Sequence, residues 1–161
     1  MKYAHSIKLN VFSYENENSQ SIGESFLRFF PFNLKENKNA LNKTKAEGFN
    51  ERNLVVFEIT LAKTNLINQF LGNLLINLGE RQKQQLLNQA ESRLDKNLDF
   101  FLRFDKNSWV NDKKLVLTDS GKCFHLKISI AAFPKKREVA LNLVRNLFEK
   151  RKIKYGKAPE G

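Results

Sequence analysis

The sequence has very little of the residue types that form covalent cross-links and cofactor-binding loops. Of its 161 residues, seven are glycine, three are proline and one is cysteine, Cys123. A single cysteine excludes an internal disulfide bond and a cysteine-based zinc site. The glycines fall at the predicted ends and turns of elements, and none belongs to a phosphate-binding or dinucleotide-binding string. We therefore expect no bound cofactor.

Long apolar runs are missing as well. No stretch approaches the ~20 consecutive apolar residues that cross a membrane. The first twelve residues, MKYAHSIKLNVF, lack the apolar run of a signal peptide. The sequence therefore predicts a cytoplasmic protein without a membrane partner.

The chain does contain enough apolar residues for a core, together with a large excess of positive charge. Apolar residues make up 41%, and Lys plus Arg outnumber Asp plus Glu by 28 to 17, a net charge of +11. This length and composition predict one domain, residues 1–154, followed by a flexible tail, 155–161. The charge predicts a polyanionic partner, of which RNA fits best. Solubility or compositional bias can produce the same charge, so composition alone does not decide.

Periodicity predicts strands interspersed with helices. Strands are predicted at Tyr3–Val11, Leu54–Ala62, Leu98–Phe104, Leu115–Thr118 and Cys123–Phe133. Helices are predicted from a cap at Ser19 or Ser21 to Pro31, from a cap at Thr64 to Gly79, from Glu80 to Leu94, and after Pro134. The polar segment Lys35–Asn50 is either a loop or an exposed edge strand. The mixture predicts an α+β two-layer sandwich, a mostly antiparallel sheet with helices packed on one face.

The stretch FFLRF, residues 100–104, carries an aromatic ring and an arginine on the face that should be wet. If helices cover one side of the sheet, the alternation places five aromatic or basic residues on the other, open side: Lys8, Phe101, Arg103, His125 and Lys127. Proteins that bind single-stranded RNA stack bases on rings and hold phosphates with cations, so this face is a predicted RNA-binding surface. The alternative is that Phe101 packs under a loop or a dimer partner and that Arg103 pairs with Asp99 or Asp105.

The last predicted helix supplies a second basic patch. Lys135, Lys136 and Arg137 lie at its first turn, where the helix dipole is already positive, and Arg145 lies further along. A bound phosphate would relieve that repulsion, so these four residues are also predicted to contact RNA. In the alternative, the helix begins later and the cations are solvated. Four lysines of the polar segment, Lys35, Lys38, Lys43 and Lys45, form either a basic arm or a solvated loop.

Residues that could carry catalysis are few. Cys123 and His125 lie two residues apart on one strand, whereas a thiolate–imidazole pair needs residues from different elements and a third orienting group. The aspartates alternate with basic residues, which favours ion pairing over a Mg²⁺ site: Asp95, Asp99, Asp105, Asp112 and Asp119. The sequence therefore predicts a non-catalytic protein. The alternatives are a protein–protein subunit or homodimer with incidental charge, and a metal-dependent nuclease.

Two short motifs, Arg93-Leu94-Asp95 and FFLRFDK at residues 100–106, are similar to those of a known family. Together with the Phe133-Pro134 step before the final helix, they resemble archaeal RNA-binding proteins called predicted exosome subunits. The resemblance runs from the first strand to about Lys152. It implies a fold similar to the large-subunit ribosomal protein that binds 5S rRNA, and association with RNA-processing or degradation machinery. It transfers no catalytic residue; the matching positions are Arg93, Asp95, Arg103, Asp105 and Lys106. Of these, Lys106 joins Arg103 among the residues predicted to contact RNA. The segment Lys35–Asn50 departs from the family pattern.

Overall fold

In this computed structural model, which describes residues 1–34, 42–47 and 53–149, five strands form one antiparallel sheet. The strands are β1 (Ala4–Tyr14), β2 (Asn42–Glu47), β3 (Asn53–Leu61), β4 (Asp99–Asp105) and β5 (Cys123–Ile130). They are ordered β2-β3-β1-β5-β4, and every neighbouring pair is antiparallel. The strand that begins the chain is therefore the centre of the sheet, and β4 is one edge.

Helices cover one face of this sheet. Over the described residues they are α1 (Ser19–Leu27), α2 (Thr64–Asn77), α3 (Glu80–Asn88), α4 (Ala90–Arg93), α5 (Lys106–Asp112) and α6 (Arg137–Glu149). They bury the inward-facing residues of the strands, such as Ile7, Leu9 and Val11 of β1. The predicted α+β class, with an antiparallel sheet and a helical layer, is confirmed. Within the described residues, no helix combines the length and apolar character of a membrane span.

Aromatic rings fill the space between the two layers. The ring of Phe29 lies 4.9 Å from that of Trp109, 5.2 Å from that of Phe124 and 6.2 Å from that of Phe104, measured between centroids. Trp109 also donates its indole N–H to the carbonyl oxygen of Ser25 at 2.7 Å. Such pairs add about 0.5–1.5 kcal/mol each beyond the area that they bury. The phenylalanine-rich composition is thus used to join sheet and helices.

Helix starts differ from the sequence predictions. Asn18, rather than Ser19 or Ser21, caps α1, because its side-chain oxygen accepts the backbone N–H groups two and three residues later at 3.0 and 3.1 Å. Thr64 is already the first residue of α2 and is not its cap. Gly79 precedes α3 as its N-cap, with a negative φ of −74°.

The helix predicted from Glu80 to Leu94 is interrupted. Gln89, with φ −103° and ψ 11°, separates α3 from α4. The apolar positions on this stretch nevertheless face the core, because Leu86, Ala90 and Leu94 are all buried. The break therefore changes the direction of the chain without changing the buried side.

Two strand predictions also differ in detail, and one alternative is decided. The segment Leu115–Thr118 forms a single bridge, between Phe104 and Leu117, and no strand. The strand predicted at Tyr3–Val11 has a bulge between Ala4 and Ser6 that shifts its register, and His5 beside the bulge is exposed. The edge-strand alternative is confirmed for β2. Residues 35–41, 48–52 and 150–161, including the predicted tail, lie outside the described residues.

Candidate nucleic-acid interface

The outer face of the sheet, opposite the helices, contains a shallow depression of about 430 Å³. All five residues predicted for this face line it: Lys8, Phe101, Arg103, His125 and Lys127. Asn10 and Phe12 of β1 line it as well. The alternation of the three strands has therefore brought two phenyl rings, one imidazole and three cations together.

Strand register explains how these residues meet. Phe101 of β4 lies opposite Lys127 of β5, and Lys127 lies opposite Lys8 of β1, which makes one row across the sheet. Arg103 and His125 form the beginning of the next row. Because neighbouring strands are about 4.8 Å apart, adjacent side chains in a row are separated by about the same distance.

Phe101 is an exposed aromatic ring of this face. It is 41% exposed, whereas Phe100, Leu102 and Phe104, which alternate with it, are buried in the core. Phe101 and Arg103 also border a second depression, of about 390 Å³, that reaches Arg93. Within the described residues no loop covers the ring, so it is available to a partner.

The outer edge of β4 is held by neighbouring segments. The carbonyl oxygen of Phe101 accepts a hydrogen bond from Arg93 Nη1 at 3.1 Å. The carbonyl oxygen of Arg103 accepts from the Thr118 backbone N–H at 3.0 Å, and the Asp105 N–H donates to Val116 at 2.8 Å. These bonds fix the backbone that carries Phe101 and Arg103.

Two of the charged side chains on this face already contact other groups of the protein. Arg103 Nη1 donates to the backbone carbonyl oxygen of Asp119 at 3.3 Å. The alternative prediction paired Arg103 with the carboxylate of Asp99 or Asp105, and this contact is a different one. Lys8 Nζ lies 3.5 Å from a Glu58 carboxylate oxygen, with both side chains substantially exposed. An exposed pair of this kind contributes little to stability and exchanges readily with another anion.

His125 and Cys123 are in contact but are not activated as a catalytic pair. The sulfur lies 3.5 Å from His125 Nε2. Burial raises the pKa of the Cys123 thiol, and burial together with the charge of Arg103 lowers the pKa of His125. Both groups are therefore neutral near pH 7, the opposite of a thiolate–imidazolium pair. No three metal-ligating side chains among the described residues form a group that could hold a metal ion.

Lys106 was predicted to contact RNA, and the structure shows this prediction to be wrong. Its side chain is only 2% exposed, and its ammonium group donates to the carbonyl oxygen of Phe12 at 2.6 Å and to Glu17 Oε1 at 2.8 Å. The preceding residue, Asp105, caps α5 by accepting the backbone N–H of Ser108 at 3.0 Å. The last two residues of the motif FFLRFDK therefore serve the fold.

The second basic patch is separate from the sheet face. Lys135 and Lys136 are exposed and precede α6, which begins at Arg137, so the alternative with a later helix start is correct for them. Arg137 donates to two backbone carbonyl oxygens of α4 and its C-cap, at 2.6 and 3.0 Å, while its residue surface is exposed. It therefore joins α6 to α4, and its contact with RNA stays a prediction. Arg145 is half-buried on α6. None of these four residues lines the depression on the sheet face.

Replacing Arg137 by alanine is expected to lower the free energy of unfolding by about 1 kcal/mol, because two charge-assisted hydrogen bonds between α6 and α4 are lost. Lys136→Ala, one residue earlier, removes the same charge without those bonds and should leave stability unchanged. Urea unfolding of both variants measures the difference. Equal stability of the two variants would contradict the structural role of Arg137.

Comparison with known proteins identifies the family. A family model described as RNA binding matches residues 6–130, which include β1 from its third residue and the other four strands completely. The chain belongs to this RNA-binding family. The matched region contains the whole depression on the sheet face and ends before α6.

Relatives of this RNA-binding family match over nearly their full length. The chain is 25% identical to the RNA-binding protein PAB1135 of Pyrococcus abyssi over 147 residues, which is 91% of this chain and 94% of that protein. The structure of protein AF2318 from Archaeglobus fulgidus, of the family DUF54, is 26% identical with a TM-score of 0.77, covering 89% of this chain and 99% of that one. Mth689 of Methanothermobacter thermautotrophicus, a DUF54 protein, has the same fold at 24% identity, with a TM-score of 0.72 over 91% and 98% of the two chains.

Phe12 and Tyr14 are the aromatic residues of this face that sequence reasoning missed. Both belong to β1, whose predicted end at Val11 is three residues too early. The alternation that identified Lys8 continues through Asn10, Phe12 and Tyr14 without interruption. Extending that period would have found them.

Proposed function

We propose that this member of the RNA-binding family is a non-catalytic protein that binds single-stranded RNA on the outer face of its sheet. The observation that carries the proposal is the depression in which Phe101 lies beside Lys8, Arg103 and Lys127. Membership of the family supports RNA over other polyanions. An association with RNA-processing or degradation machinery, and a likeness to the 5S-rRNA-binding ribosomal protein, stay predictions.

In this proposal each residue has a distinct role. A base stacks on the exposed ring of Phe101, an interaction worth about 1–3 kcal/mol. Arg103 and Lys127, on its own and the neighbouring strand, hold the flanking phosphates. His125, which is neutral near pH 7, offers a hydrogen bond to a base edge. Lys8 exchanges its contact with Glu58 for a phosphate.

Single-stranded RNA fits this surface better than a duplex. An exposed ring on a sheet can only be used by a base that is free to leave its own stack. In an A-form duplex the bases are paired and stacked, so a duplex would meet only the cations of the face. We therefore expect duplex RNA of the same length to bind more weakly than the single strand.

Binding of a fluorescent single-stranded RNA over a series of salt concentrations tests the proposal. Three phosphate contacts predict that log affinity falls with log salt with a slope of about −2, at about −0.7 per contact. Arg103→Ala should weaken binding to every sequence and make the slope shallower by about 0.7, with an unchanged melting temperature. Arg81→Ala, an exposed arginine on α3 in the helical layer, is the matched control. A slope near zero, or equal effects of the two variants, would contradict binding on the sheet face.

A second candidate is an interface between two copies of the chain, because the exposed ring of Phe101 would also be buried by such a contact. Light scattering over a concentration series separates the candidates. A dimer that Phe101→Glu dissociates, together with no affinity for RNA, would favour the interface.

A further inference from the structure

We propose that the RNA-binding path continues beyond Phe101, along β1, to a second base-stacking position at Tyr14 with Lys122 as its phosphate contact. This inference rests on the proposed function and extends its site from one base to a strand of several nucleotides. Its occupant is the same single-stranded RNA.

The first step is the continuity of rings across the outer face. Phe12 lines the depression that contains Phe101. Its ring centroid is 6.5 Å from the imidazole of His125 and 6.5 Å from the ring of Tyr14. The surface between Phe101 and Tyr14 is therefore lined by flat side chains, which bases of any identity can contact.

The second step is the exposure and support of Tyr14. Its residue surface is 39% exposed, close to that of Phe101. The ammonium groups of Lys106 and Lys122 each lie 4.9 Å from its ring centroid. Contacts of this kind hold a ring by cation–π attraction, so Tyr14 is positioned before any ligand arrives.

The third step is the charge beside this ring. Glu17 lies between the two ammonium groups, 2.8 Å from that of Lys106 and 3.7 Å from that of Lys122. Burial alone would raise the pKa of Glu17, but hydrogen bonds from Lys106 and from the Tyr14 amide and the two positive charges lower it. Two ammonium groups and one carboxylate leave one positive charge. Lys122 carries it to the surface, because its side chain is about half exposed while that of Lys106 is buried.

The fourth step is distance. Lys8 and Tyr14 are six residues apart on one strand, which corresponds to about 20 Å. A ligand that reaches both positions is an extended strand, and a mononucleotide or dinucleotide reaches only one. The inference therefore predicts that affinity rises with RNA length until the strand spans both positions.

The test compares Tyr14→Leu and Tyr14→Phe on a short and a long RNA. With an oligouridine long enough to span the face, we expect Tyr14→Leu to weaken binding by about tenfold and Tyr14→Phe to bind like the wild type. With a dinucleotide, which occupies the Phe101 position alone, neither variant should change affinity. Thermal unfolding of each variant shows whether loss of the ring disturbs Lys106.

Lys122→Gln provides a second variant that leaves the ring in place. It should make the salt slope with the long RNA shallower by about 0.7 and leave the dinucleotide unaffected. Crosslinking with RNA that contains 5-iodouridine should label the segments containing Phe101 and Tyr14. If Tyr14→Leu and Lys122→Gln bind the long RNA normally while Arg103→Ala weakens it, this inference is wrong and the proposed function stands. If Arg103→Ala has no effect either, the proposed function fails.

Discussion

Replacing Lys106 by methionine is expected to lower the free energy of unfolding by about 2–3 kcal/mol. The ammonium group bonds the carbonyl oxygen of Phe12 and the Glu17 carboxylate, and methionine fills a similar volume without replacing either bond. Removing one member of a buried ion pair costs about 3–5 kcal/mol, and we take a lower value because Glu17 keeps Lys122 and some exposure. The melting temperature should fall by about 4–12 °C. Denaturant unfolding followed by circular dichroism measures the effect.

A double variant shows whether the cost comes from the charge left on Glu17. Adding Glu17→Gln to Lys106→Met should recover part of the lost stability, because no carboxylate that has lost its buried partner then remains. Acid acts on the same pair. The pKa of Glu17 in the folded protein is below its ordinary value of 4.5, so its stabilising contribution is complete above that pH and disappears as the pH falls through the lowered pKa. Wild-type stability in the Lys106→Met variant would contradict this account.

The second large effect concerns RNA affinity. Phe101→Ala is expected to weaken binding of single-stranded RNA by about 5–150-fold, which corresponds to the loss of one stacked base at about 1–3 kcal/mol. Phe101→Trp keeps an aromatic face and should bind at least as tightly as the wild type. The folded state should be unaffected, because the ring is exposed and does not belong to the core. A fluorescence-anisotropy titration at constant salt gives the affinities.

Ile76→Ala is the matched control for this experiment. Ile76 is an exposed apolar residue, 60% accessible, but it lies on α2 in the helical layer. It should bind RNA like the wild type. If Ile76→Ala and Phe101→Ala weaken binding equally, the effect is general and stacking on the sheet face is excluded.

Local periodicity predicted the sheet face well because the side-chain alternation of a strand is set by the strand itself. Lys8, Phe101, His125 and their neighbours could be assigned to one face from the sequence alone, and the register then brought them together. Phe12 and Tyr14 follow the same alternation, but the end of β1 could not be located from it, since the last residues of β1 are held by pairing with β3, where Tyr14 lies opposite Leu54. That partner is forty positions away in the sequence.

The functions of the basic residues were harder to predict. Nothing in the pattern around Lys106 indicates burial, because its partners Phe12 and Glu17 are 94 and 89 residues away. Arg137 likewise bonds backbone oxygens that only the folded chain brings near. The number of Lys and Arg residues therefore overstates the positive charge available to RNA. A basic side chain can instead donate its hydrogen bonds to backbone carbonyl oxygens, and no sequence pattern predicts those contacts.

The hydrogen bonds along the outer edge of β4 also limit how partners can approach. The carbonyl oxygens of Phe101 and Arg103 and the N–H of Asp105 accept from or donate to Arg93, Thr118 and Val116 on the side away from β5. A peptide that extended the sheet by β-augmentation there would have to displace these bonds, so they oppose strand addition and aggregation along this edge. A ligand that binds through the side chains, from above the sheet, leaves them intact.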